Sequence, residues 1–172
     1  PVSPTVSHAY TFLGQDLEKF TSNLPLVIIN TFGHAIEREN KIGTSVRFIE
    51  VENRQSSLLR PANFDGHGEI NLRGNTSLRY LKRSFTLKTR DEAGKAKAVS
   101  ILGFPADSDW VLYAPYPDKT LLRDVLAYDL SRQIGRQASR TRFVEVFLNQ
   151  VGGKLTRRHH MGVYVLEEKI KR

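Results

Sequence analysis

The chain has 172 residues, 40% of them hydrophobic, which is enough for one domain with its own core. Its formal net charge of +8 favours anionic partners, namely phosphate groups, nucleic acid or an acidic surface, without choosing among them. The sequence has no cysteine, which excludes disulfides. No apolar run approaches the roughly 18 residues of a membrane-spanning helix, so we expect no membrane partner.

The N-terminal third predicts strands and a loop. Leu24–Asn30 (LPLVIIN) is rich in β-branched residues, which is typical of a buried strand, and Thr44–Glu52 has the alternation of a half-buried strand. Ser56–Gly68 carries a proline and two glycines and predicts a loop. Because the first residue is Pro1, we expect a processed chain or a piece of a longer protein. Residues 1–60 would form a lead-in with strands packed on the domain.

The next segment predicts a basic hairpin. Glu69–Arg73 predicts a strand, Gly74–Ser77 a turn, and Ser84–Thr89 the return strand. Five cations surround the turn: Arg73, Arg79, Lys82, Arg83 and Lys88. Such a turn is either a solvated hairpin tip or a phosphate cradle, in which backbone N–H groups and a cation hold a polyanion.

The second half predicts a strand, a helix and two further strands. Asp109–Pro115 predicts the first strand, and Asp118 is a candidate N-cap for a helix over Lys119–Ile134. Arg142–Asn149 and Met161–Glu168 predict the last two strands.

The predicted helix has a broad apolar arc that we expect to pack on the sheet. The arc consists of Leu121, Leu122, Val125, Leu126 and Leu130. Asp129 falls inside it, and a charge on an apolar face is costly unless it is paired. Asp129 either pairs with a lysine of the basic hairpin or forms a structural pair with Arg132 or a strand arginine.

Together these elements predict an α+β fold, a mostly antiparallel twisted sheet with one main helix on one face. From the basic turn onward, the order is strand, turn, strand, strand, helix, strand, strand. This order resembles the small lobe of a protein kinase, in which the first turn covers the ATP phosphates.

Four segments carry a more specific resemblance, in the order RGNTSLRYLKRSFTLK, ILGFPADSDWVLYAPYPDKTLLRDVLAYDLSRQIG, RTRFVEVFLN and GVYVLEEKI. Over roughly Asp65 to Arg172 the chain resembles the spore coat protein H (CotH-type) kinase family. The resemblance implies ATP-dependent phosphorylation of protein serines with a divalent cation such as Mg²⁺. It also implies a secreted or cell-surface location in a multidomain bacterial protein. Asp124 departs from the asparagine that the family often has at this point.

The resemblance further implies that residues 61–172 form a kinase-like small lobe. The family's catalytic and metal-binding aspartates lie in the large lobe, which this chain lacks. We therefore expect no catalytic and no metal-binding residue here, and no activity from the chain alone. The expected partners are a nucleotide, a protein substrate with serines and the missing C-terminal lobe.

Within that reading, eight residues are candidates for ATP binding. They are Arg73, Gly74, Asn75, Ser77, Lys82, Lys88, Asp129 and Glu167. The strand Asp109–Pro115 has no lysine, so the cation must come from the turn or the return strand. Lys82 is favoured over Lys88 because it is closer to the turn. The adenine is expected near Val165 to Glu168.

The sequence also allows other functions. The chain is alternatively a pseudokinase, or a β-rich binding or scaffold module of a secreted multidomain bacterial protein. A single-stranded nucleic-acid binder is disfavoured because its cations would interleave with aromatic residues on a sheet face. Trp110 and Tyr113 either stack on adenine or pack in the core, and Arg157–His160 predicts a solvated loop.

Overall fold

The computed structural model describes residues 9–171, so residues 1–8 of the predicted lead-in and Arg172 lie outside the described residues. In chain order the strands are β1 (Thr21–Ser22), β2 (Leu26–Asn30), β3 (Ile42–Ile49), β4 (Ser56–Ser57), β5 (Phe64–Arg73), β6 (Ser84–Arg90), β7 (Asp109–Tyr113), β8 (Thr141–Asn149) and β9 (His160–Glu168). One α-helix, α1 (Arg123–Gln133), lies between β7 and β8. Short 3₁₀ turns cover Gln15–Leu17, Thr76–Arg79 and Arg157–His159.

Seven strands form a closed barrel in the order β2-β3-β5-β6-β7-β9-β8. Neighbouring strands are antiparallel except for β2 and β8, which run parallel and close the circle. Strands β1 and β4 form a separate two-stranded sheet. In the closing pair, Ile28 lies opposite Phe147.

The period of two along each strand decides which side chains fill the barrel. The large fully buried residues of the interior include Phe48, Ile70, Leu87, Trp110, Leu112 and Tyr164. Strand β2 has no exposed face, because a second apolar cluster packs against it from outside. That cluster joins Ile28 to Leu17, Leu58, Phe147 and Leu155. This explains why LVIIN is apolar without alternation.

The prediction of an α+β fold resembling a kinase small lobe is wrong, because the chain is mostly β and closes into a barrel. The reason lies in two strands from the predicted lead-in. β2 pairs with β3 on one side and with β8 on the other. Local patterns predict that these segments are strands, but barrel closure depends on pairing between residues more than a hundred positions apart.

The predicted loop over Ser56–Gly68 is also wrong at both ends, since β4 covers Ser56–Ser57 and β5 begins at Phe64. Its glycines are strand residues rather than turn residues. A Cβ on Gly68 would lie 2.8 Å from the carbonyl oxygen of Lys88 on the paired strand. Glycine is therefore required there for close packing of the backbone, one of its recognised roles in strands.

The helix begins at Arg123, four residues later than predicted. The Asp118 carboxylate accepts hydrogen bonds from the N–H groups of Thr120 and Arg123, so it shapes the turn that leads into the helix. The expected packing of the apolar arc on the sheet is wrong. Leu122, Leu126 and Leu130 are 52%, 56% and 50% exposed. No helix in residues 9–171 is long and apolar enough to cross a membrane.

Candidate functional site

A cavity of about 270 Å³ lies on the outer face of the barrel, between the β5–β6 turn and helix α1. Strands β7 and β9 form its floor. Its lining residues are Arg73, Gly74, Ser77, Ser84, Val111, Tyr113, Asp124, Tyr128 and Glu167. The structure thus brings together four of the eight predicted site residues. Three come from the turn after β5 and one from the last strand: Arg73, Gly74, Ser77 and Glu167.

The rim of the cavity is the turn after β5. Gly74 has φ +110°, which residues with a side chain rarely adopt. A Cβ on Gly74 would also collide with the Ser77 hydroxyl. The chain then enters the 3₁₀ turn Thr76–Arg79, which a hydrogen bond from Tyr80 N–H to the Ser77 carbonyl ends. Only glycine allows Arg73 and Ser77 to face the same cavity.

Glu167 is the most unusual side chain in the cavity. It is 8% exposed, and none of the described residues donates a hydrogen bond to its carboxylate. Burial and the nearby Asp124 charge raise the pKa of Glu167 to about 7, although Arg73 acts in the opposite direction. The cavity therefore holds a carboxylate whose charge is poorly compensated by its surroundings.

Two tyrosines and the helix carboxylate Asp124 surround Glu167. Burial and the adjacent Asp124 raise the pKa of the Tyr113 hydroxyl. Burial and the charges of Glu167 and Asp124 also raise the pKa of Tyr128. Both tyrosines are protonated at neutral pH; the Tyr113 hydroxyl is hydrogen-bonded to Asp124, and the Tyr128 hydroxyl can donate to a ligand.

Lys82, the favoured phosphate-binding lysine, does not line the cavity. Its ammonium donates a hydrogen bond to the Val163 carbonyl at 2.5 Å and lies 4.4 Å from the centre of the Tyr164 ring. Burial lowers the pKa of Lys82. In this structure Lys82 joins the segment after the turn to β9.

The other predicted residues also have partners outside the cavity. Lys88 forms an ion pair with Asp109 at 2.7 Å. Asp129 pairs with Arg132 at 2.9 Å and also accepts a hydrogen bond from Gln133, which is the structural alternative considered above. Asn75 precedes the 3₁₀ turn and does not line the cavity. ATP binding by these residues stays a prediction.

Sequence reasoning missed Tyr113, Asp124 and Tyr128. The sequence predicts that Trp110 and Tyr113 either stack on adenine or pack in the core; Trp110 is buried in the barrel, whereas Tyr113 lines the cavity. Asp124 and Tyr128 are four residues apart and therefore share a helix face. That spacing indicates a polar helix face. The apolar arc, however, predicted that a different face of the helix contacts the barrel.

The cavity contains both groups that attract an anion and groups that repel one. One guanidinium and several hydroxyl groups can bind an anion, whereas two carboxylates repel one. Within residues 9–171, no group of three or more histidine, cysteine or acidic residues could hold a metal ion by itself.

The family model described as CotH kinase protein matches residues 70–172, which is more than half of the chain. The matched segment contains every residue that lines the cavity. A search of curated proteins found no match.

Proposed function

The chain belongs to the CotH kinase protein family, and on that premise we propose that its cavity binds the phosphates of ATP. The chain would be the ATP-phosphate-covering part of a protein serine kinase. The observation that carries the proposal is the position of the Gly74 turn. It places Arg73 and Ser77 over a floor that includes Tyr113 and Glu167.

Each part of the turn has a role in this proposal. Arg73 offers a planar fork of donors that matches phosphate oxygens. Gly74 lets the backbone approach closely, and Ser77 adds a hydrogen-bond donor. Lys82 could contribute its charge only by giving up its bond to Val163, so we propose that it chiefly holds the turn in place.

The protein substrate and the metal rest on family membership. A kinase needs a positioned divalent cation and a residue that orients the attacking serine hydroxyl. We assign neither catalytic role to a described residue, and we propose that the 172-residue chain binds ATP without transferring phosphate. A secreted or cell-surface location is likewise a proposal that family membership alone supports.

The test is calorimetric titration of the chain with ATP in the presence of Mg²⁺. We expect saturable binding that Arg73→Ala weakens at least tenfold. Arg60→Ala is the matched control, because Arg60 pairs with Glu52 at 3.3 Å and does not line the cavity. Equal binding by both variants, or no binding by the unmodified chain, would contradict the proposal.

A pseudokinase or scaffold is a second candidate, and one observation favours it. No lysine lines the cavity, so Arg73 is its only cation among the described residues. Such a site can hold a nucleotide for a structural purpose. Serine phosphorylation by the natural full-length protein would decide in favour of the kinase, whereas ATP binding without phosphorylation would favour the pseudokinase.

A further inference from the structure

The Asp124–Glu167 pair is not balanced electrically by the residues around it. Glu167 is nine-tenths buried, faces the cavity, and receives no hydrogen bond from the described residues. Asp124 faces the same cavity from helix α1 and is exposed to solvent, and its charge and that of Glu167 repel each other. A buried carboxylate is normally paired or bound to a metal ion.

Only one cation, Arg73, is available to the pair among the described residues that line the cavity. If nucleotide phosphates bind at the Gly74 turn, they compete with the carboxylates for that guanidinium. The cavity would then hold two carboxylates and a polyphosphate against a single positive charge. A proton on Glu167 would remove only one of these negative charges.

A divalent cation solves this problem with the ligands that it prefers. Mg²⁺ commonly binds through one or two carboxylates together with substrate phosphates and water, rather than in a cage made only of protein groups. Two carboxylates alone are too few for a tight site, which agrees with the absence of a three-ligand group in residues 9–171. The hydroxyl of Tyr128 is available to position metal-bound water, whereas the hydroxyl of Tyr113 is hydrogen-bonded to Asp124.

We propose that Asp124 and Glu167 together hold a divalent cation, Mg²⁺ or Mn²⁺, that links them to the nucleotide phosphates. This inference rests on the proposed ATP site. It is distinct from the aspartates that the family resemblance places in another lobe.

The experiment first uses Mn²⁺ alone, so that its result does not depend on ATP binding. Paramagnetic broadening of backbone amide signals is measured by NMR for the unmodified chain, Glu167→Gln, Asp124→Asn and Glu168→Gln. Glu168 is the matched control, since it is the next carboxylate on β9 and pairs with Arg140 at 2.8 Å. We expect broadening around Val111 and Glu167 in the unmodified chain and the control. The broadening should be lost in Glu167→Gln and in Asp124→Asn.

The second measurement is ATP affinity with Mg²⁺ and with EDTA. We expect Mg²⁺ to raise the affinity at least tenfold in the unmodified chain and less than twofold in Glu167→Gln. Both isosteric variants are checked for folding by their melting temperatures.

The outcomes separate the two proposals. If Mn²⁺ broadening survives in Glu167→Gln and Asp124→Asn, or is missing from the unmodified chain with and without ATP, the cation inference is overturned. If ATP binds equally with Mg²⁺ and with EDTA, that inference fails while the nucleotide site stands. If Mn²⁺ binds at the pair and ATP does not bind at all, the cation site stands and the proposed function fails.

Discussion

At the scale of single residues, the buried Glu167 makes stability depend on pH in a definite direction. Its carboxyl has a pKa of about 7 in the folded chain, against an ordinary value of 4.5. The folded state therefore binds the proton more tightly than the unfolded state does. The associated stability is fully present below pH 4.5 and is lost as pH rises through about 7.

We expect Glu167→Gln to be more stable than the unmodified chain at pH 8, by up to roughly 3 kcal/mol. The difference should become small near pH 4, where glutamate is mostly protonated in both states. Urea unfolding at the two pH values, without divalent cations, measures it. A difference that does not change with pH would show that the glutamine acts through packing instead of charge.

The Gly74 turn gives a second prediction at this scale. Gly74→Ala combines a strained φ with a collision against Ser77, so we expect a loss of about 1 kcal/mol or more and a clear loss of ATP affinity. Gly94→Ala is the control. Gly94 also has a positive φ, of 75°, but a Cβ there meets nothing within 4 Å.

Alanine at Gly94 should therefore lower stability slightly and leave ATP affinity, measured by the same titration, unchanged. A similar loss of affinity in both variants would mean that the shape of the Gly74 turn is unimportant for the ligand.

At the scale of elements, helix α1 shows how an apolar pattern can mislead. The pattern correctly predicted a helix, but it identified the wrong face as the one in contact with the barrel. Leu122, Leu126 and Leu130 are half exposed or more, while Asp124 and Tyr128 face the cavity. Periodicity shows which side chains share a face; it does not show what that face packs against.

We therefore expect Leu126→Gln to change the free energy of unfolding by no more than about 0.5 kcal/mol, as for most exposed positions. Leu112→Ala, in the barrel interior, is the contrasting variant and should cost about 2–5 kcal/mol. Chemical denaturation of the two variants makes the comparison. A loss of several kcal/mol for Leu126→Gln would mean that the arc packs as the sequence predicted.

The strands were easier to predict than the site. β6 and its inward residues Phe85 and Leu87 follow from the alternation of apolar and polar residues in SFTLKT. Arg73 to Ser77 could be found because glycine, hydroxyls and cations cluster there in sequence. The spacing of Asp124 and Tyr128 places them on one helix face, but it does not show that this face lies near Glu167. That proximity arises only in the folded chain, between residues 43 positions apart in the printed sequence.

At the scale of the whole molecule, barrel closure makes the N-terminal strands part of the structure that supports the cavity. β2 pairs with β3 and β8, and β8 pairs with β9, the strand that carries Glu167. A closed barrel leaves no strand edge unpaired. Removing β2 would expose the edges of both neighbours and uncover the apolar cluster around Ile28.

We accordingly expect a chain limited to residues 61–172 to lack cooperative unfolding and ATP binding, although it contains every cavity-lining residue.

Two point variants test the same prediction if that shortened chain aggregates. Ile29→Ala, on β2 and fully buried, should cost about 2–5 kcal/mol, whereas Phe32→Ala, just beyond β2 and 54% exposed, should cost much less. Thermal unfolding with and without ATP measures both effects. If residues 61–172 fold cooperatively and bind ATP as the whole chain does, the lead-in is a separable segment, and β2 only covers a domain that closes without it.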